Sequence, residues 1–71
     1  MSLIRYDKDA GAMYITVRKD SVAKTIPLGD DRFLDINEKG QVIGLEVLFI
    51  KNTHEVEEAL ERSPDVAEVI Q

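Results

Sequence analysis

Two β-strands joined by a tight turn are predicted by the stretch FLDINEKGQVIGLEVLFI, residues 33–50. Asn37 is of a type that opens type I turns, and Gly40 suits the left-handed position that follows such a turn. The strands, residues 33–37 and 42–50, therefore form an antiparallel hairpin.

The turn leaves two registers open. In the first, Asn37 opposes Gln41 across a three-residue loop, and Leu34 then shares a face with Gly44. In the second, Ile36 opposes Gln41, and Leu34 lies on the other face from Gly44. Both registers leave apolar residues on each face, and the 42–50 strand is apolar on both faces apart from Glu46. We therefore expect a second copy of the chain, or additional helix, to cover the second face.

The residues before this hairpin predict three further strands. Residues 3–6 and 12–18 form a hairpin around the turn formers at 7–11, and Met13, Ile15 and Val17 alternate with polar residues as in a half-buried strand. Residues 22–26 alternate again and end at Pro27, which lacks the N–H that a strand ladder needs. The sequence thus predicts an antiparallel sheet of four or five strands in meander order.

The residues after the hairpin predict acidic helix. Residues 1–52 carry eight Lys or Arg and eight Asp or Glu, whereas residues 53–71 carry one and six, so the net charge of −5 lies in the tail. Asn52 and Glu55 have the spacing of a capping box, and Ser63-Pro64 has the pattern of a second helix start. We expect one kinked helix or two short helices. The fold class is α+β in a single domain, 1–71, with a β-sheet body at 1–51 and an acidic helical tail at 52–71.

Composition excludes several classes of function. A chain of 71 residues has a marginal core, and without Cys and with one His it lacks disulfides and the usual structural metal sites. Homodimers or higher homo-oligomers are therefore expected, with no cofactor and no metal. An acidic chain without a basic cluster is not expected to bind nucleic acid. No apolar stretch reaches the ~18 residues of a membrane helix, so we expect a soluble, cytoplasmic protein.

Two segments together resemble a known family: YD at residues 6–7 followed by AGAMYI at 10–15, and DINEKGQVIGLEVL at 35–48. They are similar to domain-of-unknown-function family 2283, which comprises small uncharacterised prokaryotic proteins. Thr25 can serve as the Thr of the family pattern. Gly11 and Asn37 each replace a family Asp, so the resemblance carries no metal or ligand role to either position. It implies mainly the fold, and some members look as if they are encoded beside toxin-like proteins, which suggests an antitoxin-like role.

Five residues are candidates for a functional or interface site: Asp35, Glu46, Tyr14, Tyr6 and Phe49. Asp35 and Glu46 are carboxylates that can face each other across the hairpin, and such a pair would have split pKa values suited to acid/base chemistry. Registry of the sheet or of a dimer is the more ordinary use of a carboxylate among apolar residues. The two tyrosines can stack on a ligand or pack across strands.

We therefore expect a non-enzymatic, oligomeric protein-interaction module with no catalytic residues, whose acidic tail contacts a basic protein partner. The alternative is a protein that binds a small ligand or a metal, with its site on the sheet or between protomers and lined by Asp35, Glu46 and Tyr14.

Overall fold

The computed structural model describes residues 3–70, which form one sheet and one helix. In chain order the elements are β1 (Ile4–Asp7), β2 (Ala12–Thr16), β3 (Lys24–Pro27), β4 (Arg32–Ile36), β5 (Val42–Val47), α1 (Thr53–Glu61) and β6 (Ala67–Ile70). The fold is α+β, as the sequence predicts. The sheet has six strands in the order β3-β4-β5-β2-β1-β6 and is mixed, because β6 runs parallel to β1.

The predicted meander order is wrong, because β2 pairs with β5 instead of β3. The Val17 and Arg18 N–H groups both donate to the Ile43 carbonyl, at 2.7 and 3.0 Å, so the end of β2 stays beside β5. Residues 17–23 then lead to the far edge, where β3 pairs with β4. Strands β2 to β5 consequently have the order of a Greek key.

The predicted second helix is also wrong, because the Ser63-Pro64 motif starts only one turn. The Val66 and Ala67 N–H groups donate to the Ser63 carbonyl at 3.1 and 3.0 Å, and the chain then extends as β6. The Val66 carbonyl accepts bonds from the N–H groups of Leu3 and Ile4, at 2.8 and 2.7 Å. The unpaired edge of β1 and the β-branched residues after Pro64 favour strand over a second short helix. The acidic tail is therefore part helix and part strand.

The β4–β5 hairpin combines features of the two predicted registers. Asn37 N–H donates to the Gln41 carbonyl at 3.0 Å, and Gly40 N–H donates to the Asn37 carbonyl at 3.0 Å, with Gly40 at φ +78°. This is the three-residue loop of the first register. A bulge at Ile43 then shifts the pairing, so that Asp35 opposes Gly44, and the two residues share a face as in the second register.

The side chain of Asn37 holds this turn. Its Oδ1 accepts bonds from the N–H groups of Lys39 and Gln41, at 3.0 and 2.9 Å. Its Nδ2 donates to Asp20 Oδ2 at 3.0 Å and to Gln41 Oε1 at 2.9 Å. Asn37 is buried, and this network satisfies its amide. The turn is thereby tied to the β2–β3 connection.

Helix α1 begins at Thr53 without the predicted capping box. Asn52 has a left-handed backbone, with φ 58°, and its side chain makes no capping bond. Its carbonyl instead accepts the N–H groups of Glu55 and Val56, at 3.1 and 3.2 Å. The helix packs against β6 and has no buried residue of its own.

The core is small. Within residues 3–70 the buried hydrophobic residues are Tyr6, Ile43 and Ala67, and only Tyr6 is completely enclosed. The molecule measures 36 × 27 × 15 Å between its Cα extremes. A layer this thin corresponds to one sheet with a single helix on one side.

The connection from β5 to α1 is strained. Besides Asn52, Phe49 has a positive φ of 57°, although its side chain is 71% exposed and gains little burial in return. A left-handed backbone costs a residue such as Phe roughly 1–2 kcal/mol, whereas Asn adopts it more readily, so Phe49 carries most of the strain. This cost is similar to the net contribution of one hydrogen bond, roughly 0.5–1.5 kcal/mol. Ile50 N–H makes such a bond with the Gly11 carbonyl at 2.9 Å.

Candidate functional site: the polar face of the sheet

One face of the sheet is polar. Side chains alternate along each strand, and the strand register places the polar ones on the same side. We call this surface the polar face; its members are Arg5, Asp7, Ala12, Tyr14, Thr16, Thr25, Pro27, Phe33, Asp35, Gly44, Glu46, Glu68 and Ile70. It brings together three of the five candidates predicted from sequence, Tyr14, Asp35 and Glu46.

Asp35 is the centre of a hydrogen-bond network on the polar face. The Tyr14 hydroxyl donates to Asp35 Oδ2 at 2.9 Å, and the Thr25 hydroxyl donates to Asp35 Oδ1 at 2.6 Å. Each carboxylate oxygen thus accepts one hydroxyl, and the network links β2 to β3 across β4 and β5. In the sequence Thr25 is marked only as the Thr of the family pattern, because its role as a donor to Asp35 depends on the β3–β4 register.

Gly44 provides the space for this network. A Cβ atom at position 44 would overlap the Tyr14 hydroxyl and would lie 2.8 Å from Cε2 of its ring. The Tyr14 ring therefore lies directly on the backbone of β5, where only a glycine fits. No local sequence pattern marks this role, since it arises from the pairing of β2 with β5.

The environment of Tyr14 keeps its hydroxyl protonated. Burial raises its pKa to about 12, and the hydrogen bond to Asp35 and the negative charges of Asp35 and Glu46 act in the same direction. Near neutral pH the hydroxyl is a hydrogen-bond donor and not a base. The geometry thus gives Tyr14 a structural or ligand-binding role in preference to proton abstraction.

Asp35 and Glu46 do not face each other. Asp35 opposes Gly44 and Thr25, whereas Glu46 opposes Phe33 and Tyr14. The two carboxylates are diagonal neighbours, a relationship that separates side chains on adjacent strands by about 7–8 Å. The prediction that they can face each other across the hairpin is therefore wrong, and the arrangement does not favour a shared proton.

Glu46 is a half-buried carboxylate of the polar face, as are Asp35 and Asp7. It lies between the aromatic residues Tyr14 and Phe33 in the cross-strand row. Within residues 3–70 it makes no ion pair or hydrogen bond through its side chain. A cation or a hydrogen-bond donor from another molecule would suit this position.

The other two candidates lie away from the polar face. Tyr6 points to the opposite side, beneath α1, and is 0% exposed. Among the described residues its hydroxyl makes no hydrogen bond of standard geometry, although the Thr53 side chain lies close enough to favour a lower pKa. Burial raises the pKa of Tyr6, and the charge of Glu57 adds to this effect. Phe49 lies in the connection after β5 and is exposed.

The opposite face of the sheet is apolar. One cross-strand row contains only apolar side chains, in the order Ile26, Leu34, Leu45, Ile15, Ile4 and Ala67. We call the part of this face on β3, β4, β5 and β2 the apolar face; its members are Met13, Ile15, Ile26, Leu34, Ile36, Ile43, Leu45 and Val47. All except Ile43 remain partly exposed, since α1 packs over the β6 end of the sheet.

This division corrects the prediction that the 42–50 strand is apolar on both faces apart from Glu46. Gly44 and Glu46 lie on the polar face, whereas Ile43, Leu45 and Val47 lie on the other. Water can therefore remain on the polar face, and it is the apolar face that lacks a cover.

A cleft of about 370 Å³ lies at the turn end of the sheet, away from the Tyr14 and Asp35 network. Its lining includes Asp20 and Asn37, whose polar atoms already bond to each other. Glu38 and Lys39 contribute the other charged side chains.

The outer surface of α1 is acidic. Glu55, Glu58 and Glu61 are exposed, and His54 Nε2 lies 3.0 Å from Glu58 Oε1. Among the residues that the structure describes, no group of three or more His, Asp or Glu side chains is arranged to hold a metal ion. The described part of the chain contains no helix that is long and apolar enough to cross a membrane.

Comparison with known proteins identifies the family and no specific relative. The model of the family described as "Protein of unknown function (DUF2283)" matches residues 3–51, which contain β1 to β5. No curated protein and no solved structure is significantly similar to the chain. The family match confirms the resemblance seen in the sequence, and it spans well over half of the chain: the protein belongs to the DUF2283 family.

Proposed function

We propose that the protein is a non-enzymatic, oligomeric interaction module in which a second copy of the chain packs against the apolar face. The observation that carries this proposal is the row of apolar side chains from Ile26 to Ile15, which is half-buried and lies outside the cover of α1. Contiguous apolar surface of this kind marks association sites in small proteins.

The small core supports the same conclusion. The three buried hydrophobic residues within positions 3–70 are few for a domain, and the chain has no cysteine with which to form a disulfide. A core of this size rarely supplies more than roughly 3–5 kcal/mol. Burial of the apolar face against a second copy adds about 25 cal/mol for each Å² removed from water.

The borders of the apolar face resemble those of an interface. Arg32 lies opposite Val47, and Lys24 lies opposite Ile36, so charged side chains flank the apolar residues. An apolar centre with a polar rim is the usual anatomy of protein interfaces.

Light scattering coupled to size-exclusion chromatography tests the proposal. The wild-type mass should be at least twice the 8.0 kDa of one chain. Ile26→Lys places a charge on the apolar face at an edge strand and should halve the mass. Val22→Lys is the matched control, because Val22 is 51% exposed and lies outside the face. A wild-type monomer, or an Ile26→Lys variant of wild-type mass with a native circular dichroism spectrum, contradicts the proposal.

The acidic surface of α1 favours a basic protein as the external partner, in keeping with the antitoxin-like role that the family resemblance suggests. Glu55, Glu58 and Glu61 present three exposed carboxylates on one helix. Complementary charge would accelerate association and make affinity fall as salt increases.

A pull-down of binding partners from a lysate of the native cell, followed by their identification, tests whether a basic protein binds the acidic surface of α1. The triple variant Glu55→Gln, Glu58→Gln and Glu61→Gln should lose the partner. The control variant Asp9→Asn, Asp30→Asn and Glu38→Gln changes the net charge equally on other exposed surfaces and should retain it. Equal recovery by both variants would remove α1 from the interaction.

A cation-binding site on the polar face is the second candidate function. Glu46 lies between Tyr14 and Phe33 without an ionic partner in the described chain, and aromatic rings and a carboxylate both attract cations. Thermal shift with a panel of amines and divalent metals tests this role, because a ligand that binds only the native state raises the melting temperature. Glu46→Gln should abolish any such shift.

A further inference from the structure

The segment α1–β6 is attached to the rest of the protein mainly along one strand edge. Helix α1 packs on β6 and has no buried residue. Strand β6 pairs only with β1, through bonds such as Lys8 N–H to the Ile70 carbonyl at 3.1 Å. The family match ends at residue 51, immediately before this segment. Strands β1 to β5 and the segment are thus separate structural units within one fold.

The connection between the two units is short and strained. Residues 48–52 join β5 to α1, and two of them, Phe49 and Asn52, have left-handed backbones. In an extended connection Phe49 and Asn52 would no longer need a left-handed backbone. The hydrogen bond from Ile50 N–H to the Gly11 carbonyl would be lost. Short strained connections of this kind favour the exchange of an element between two identical chains.

We propose that two copies of the protein exchange their α1–β6 segments, so that β6 of each copy pairs with β1 of the other. Every contact between β1 and β6 is then the same as in the single chain, and so is the enclosure of Tyr6. The two forms differ only in the connection at residues 48–52. The binding surface is the edge of β1 together with Tyr6, and its occupant is the segment of a second copy. This exchange is independent of association through the apolar face.

Cysteine cross-linking distinguishes the two forms directly. Arg5 and Glu68 oppose each other on β1 and β6, and both are exposed. Neighbouring strands bring Cα atoms to about 5 Å, within the roughly 4.4–6.8 Å range of disulfides. The natural chain has no cysteine, so the double variant Arg5→Cys and Glu68→Cys forms either an internal disulfide or a link between two copies.

After refolding at high concentration and oxidation, a denaturing gel without reductant should show covalent dimers of this variant. The control variant Phe33→Cys and Glu46→Cys lies within the β4–β5 hairpin and should give covalent monomers. Complete oxidation of Arg5→Cys and Glu68→Cys to covalent monomers alone would overturn the proposal. Circular dichroism confirms that each variant is folded.

The strained connection provides a second test. Glycine adopts positive φ without a steric penalty, so adding Phe49→Gly and Asn52→Gly to the cysteine variant should shift the products toward covalent monomers. An unchanged ratio would contradict the role of the connection.

The result can be separated from that of the apolar face. Ile26→Lys should leave the covalent dimers intact. If the cysteine variant gives only covalent monomers and Ile26→Lys halves the mass, segment exchange is contradicted and association through the apolar face is supported. If the cysteine variant gives covalent dimers and Ile26→Lys leaves the mass unchanged, association through the apolar face is contradicted and segment exchange is supported.

Discussion

The ring of Tyr14 lies on the backbone of Gly44, in space that a Cβ atom at position 44 would occupy. This contact holds the Tyr14 hydroxyl where it donates to Asp35 at 2.9 Å. The hydrogen bond that joins β2 to β4 therefore requires a glycine at position 44 of β5.

Substitution of Gly44 by Ala should displace Tyr14 and destabilise the protein by roughly 1–3 kcal/mol, as for other overpacking changes. Urea denaturation measures the difference. In a Tyr14→Ala background the same substitution should be neutral or stabilising, because Gly44 lacks a positive φ and glycine weakens strand interiors. A penalty of equal size in both backgrounds would show that the ring is not the cause.

The two tyrosines should titrate above the ordinary range. Each single variant, Tyr6→Phe or Tyr14→Phe, leaves one tyrosine to follow by absorbance at high pH, since the chain has only two. Tyr14 should ionise near its raised pKa of about 12. Because the folded pKa exceeds the unfolded value of 10.0, the stability from this group is complete below that pH and is lost as pH rises through about 12. Ionisation of Tyr14 at the ordinary value in the folded protein would contradict the network.

Removal of the two hydroxyls should have opposite effects on stability. Tyr14→Phe leaves Asp35 Oδ2 without its donor, while Oδ1 keeps the Thr25 hydroxyl, and should cost roughly 1.5–3 kcal/mol, the range for hydrogen bonds to charged groups. Tyr6→Phe removes a buried hydroxyl that makes no hydrogen bond of standard geometry and has only the Thr53 side chain as a close polar neighbour. The substitution should be neutral or stabilising, since unsatisfied buried groups cost about 1–3 kcal/mol. Denaturant titration of both variants compares them, and a loss in Tyr6→Phe as large as in Tyr14→Phe would reveal a hidden partner for Tyr6.

Replacement of Asn37 by Asp should destabilise the turn at neutral pH. Asn37 Nδ2 donates to Asp20 at 3.0 Å, whereas a carboxylate at that position would repel it. The bonds from Ser21 N–H and Asn37 lower the pKa of Asp20, so in the natural protein this stabilisation is present above the ordinary Asp pKa and is lost as pH falls through the lowered value.

The melting temperature of Asn37→Asp should therefore fall below that of wild type at pH 7, and the gap should narrow in acid, where the carboxylates are protonated. The double variant Asn37→Asp and Asp20→Asn restores a donor and should recover stability at pH 7. Absence of this recovery would argue against the contact between the turn and Asp20.

Local sequence signals predicted the β4–β5 hairpin well, because Asn37 and Gly40 determine its turn chemically. The bulge at Ile43 was not predictable, since it depends on whether Asp35 meets Gly44 within a larger sheet. For the same reason the pairing of Tyr14 with Asp35 required the strand order, in which β5 returns to β2.

The helical tail was predicted correctly only in its first half. Ser63-Pro64 begins helices and isolated turns alike, and the outcome here depends on the free edge of β1 at the other end of the chain. The apolar face was visible as alternation in residues 12–18 and 22–26. The exposure of this face was not visible in the sequence. It follows from the position of α1 over β6, which depends on the pairing of β6 with β1, and no local pattern encodes that pairing.

The pairing of Ile4 with Ala67 joins opposite ends of the chain, and this has a consequence for the order of folding. Contacts between residues far apart in sequence carry the largest loop-closure cost and are disfavoured early in folding. We expect the hairpin of β4 and β5 to form first and the ladder between β1 and β6 to form last. In native-state hydrogen exchange, the amides of Ile4 and Lys8 should then lose protection at lower free energy than those of β5.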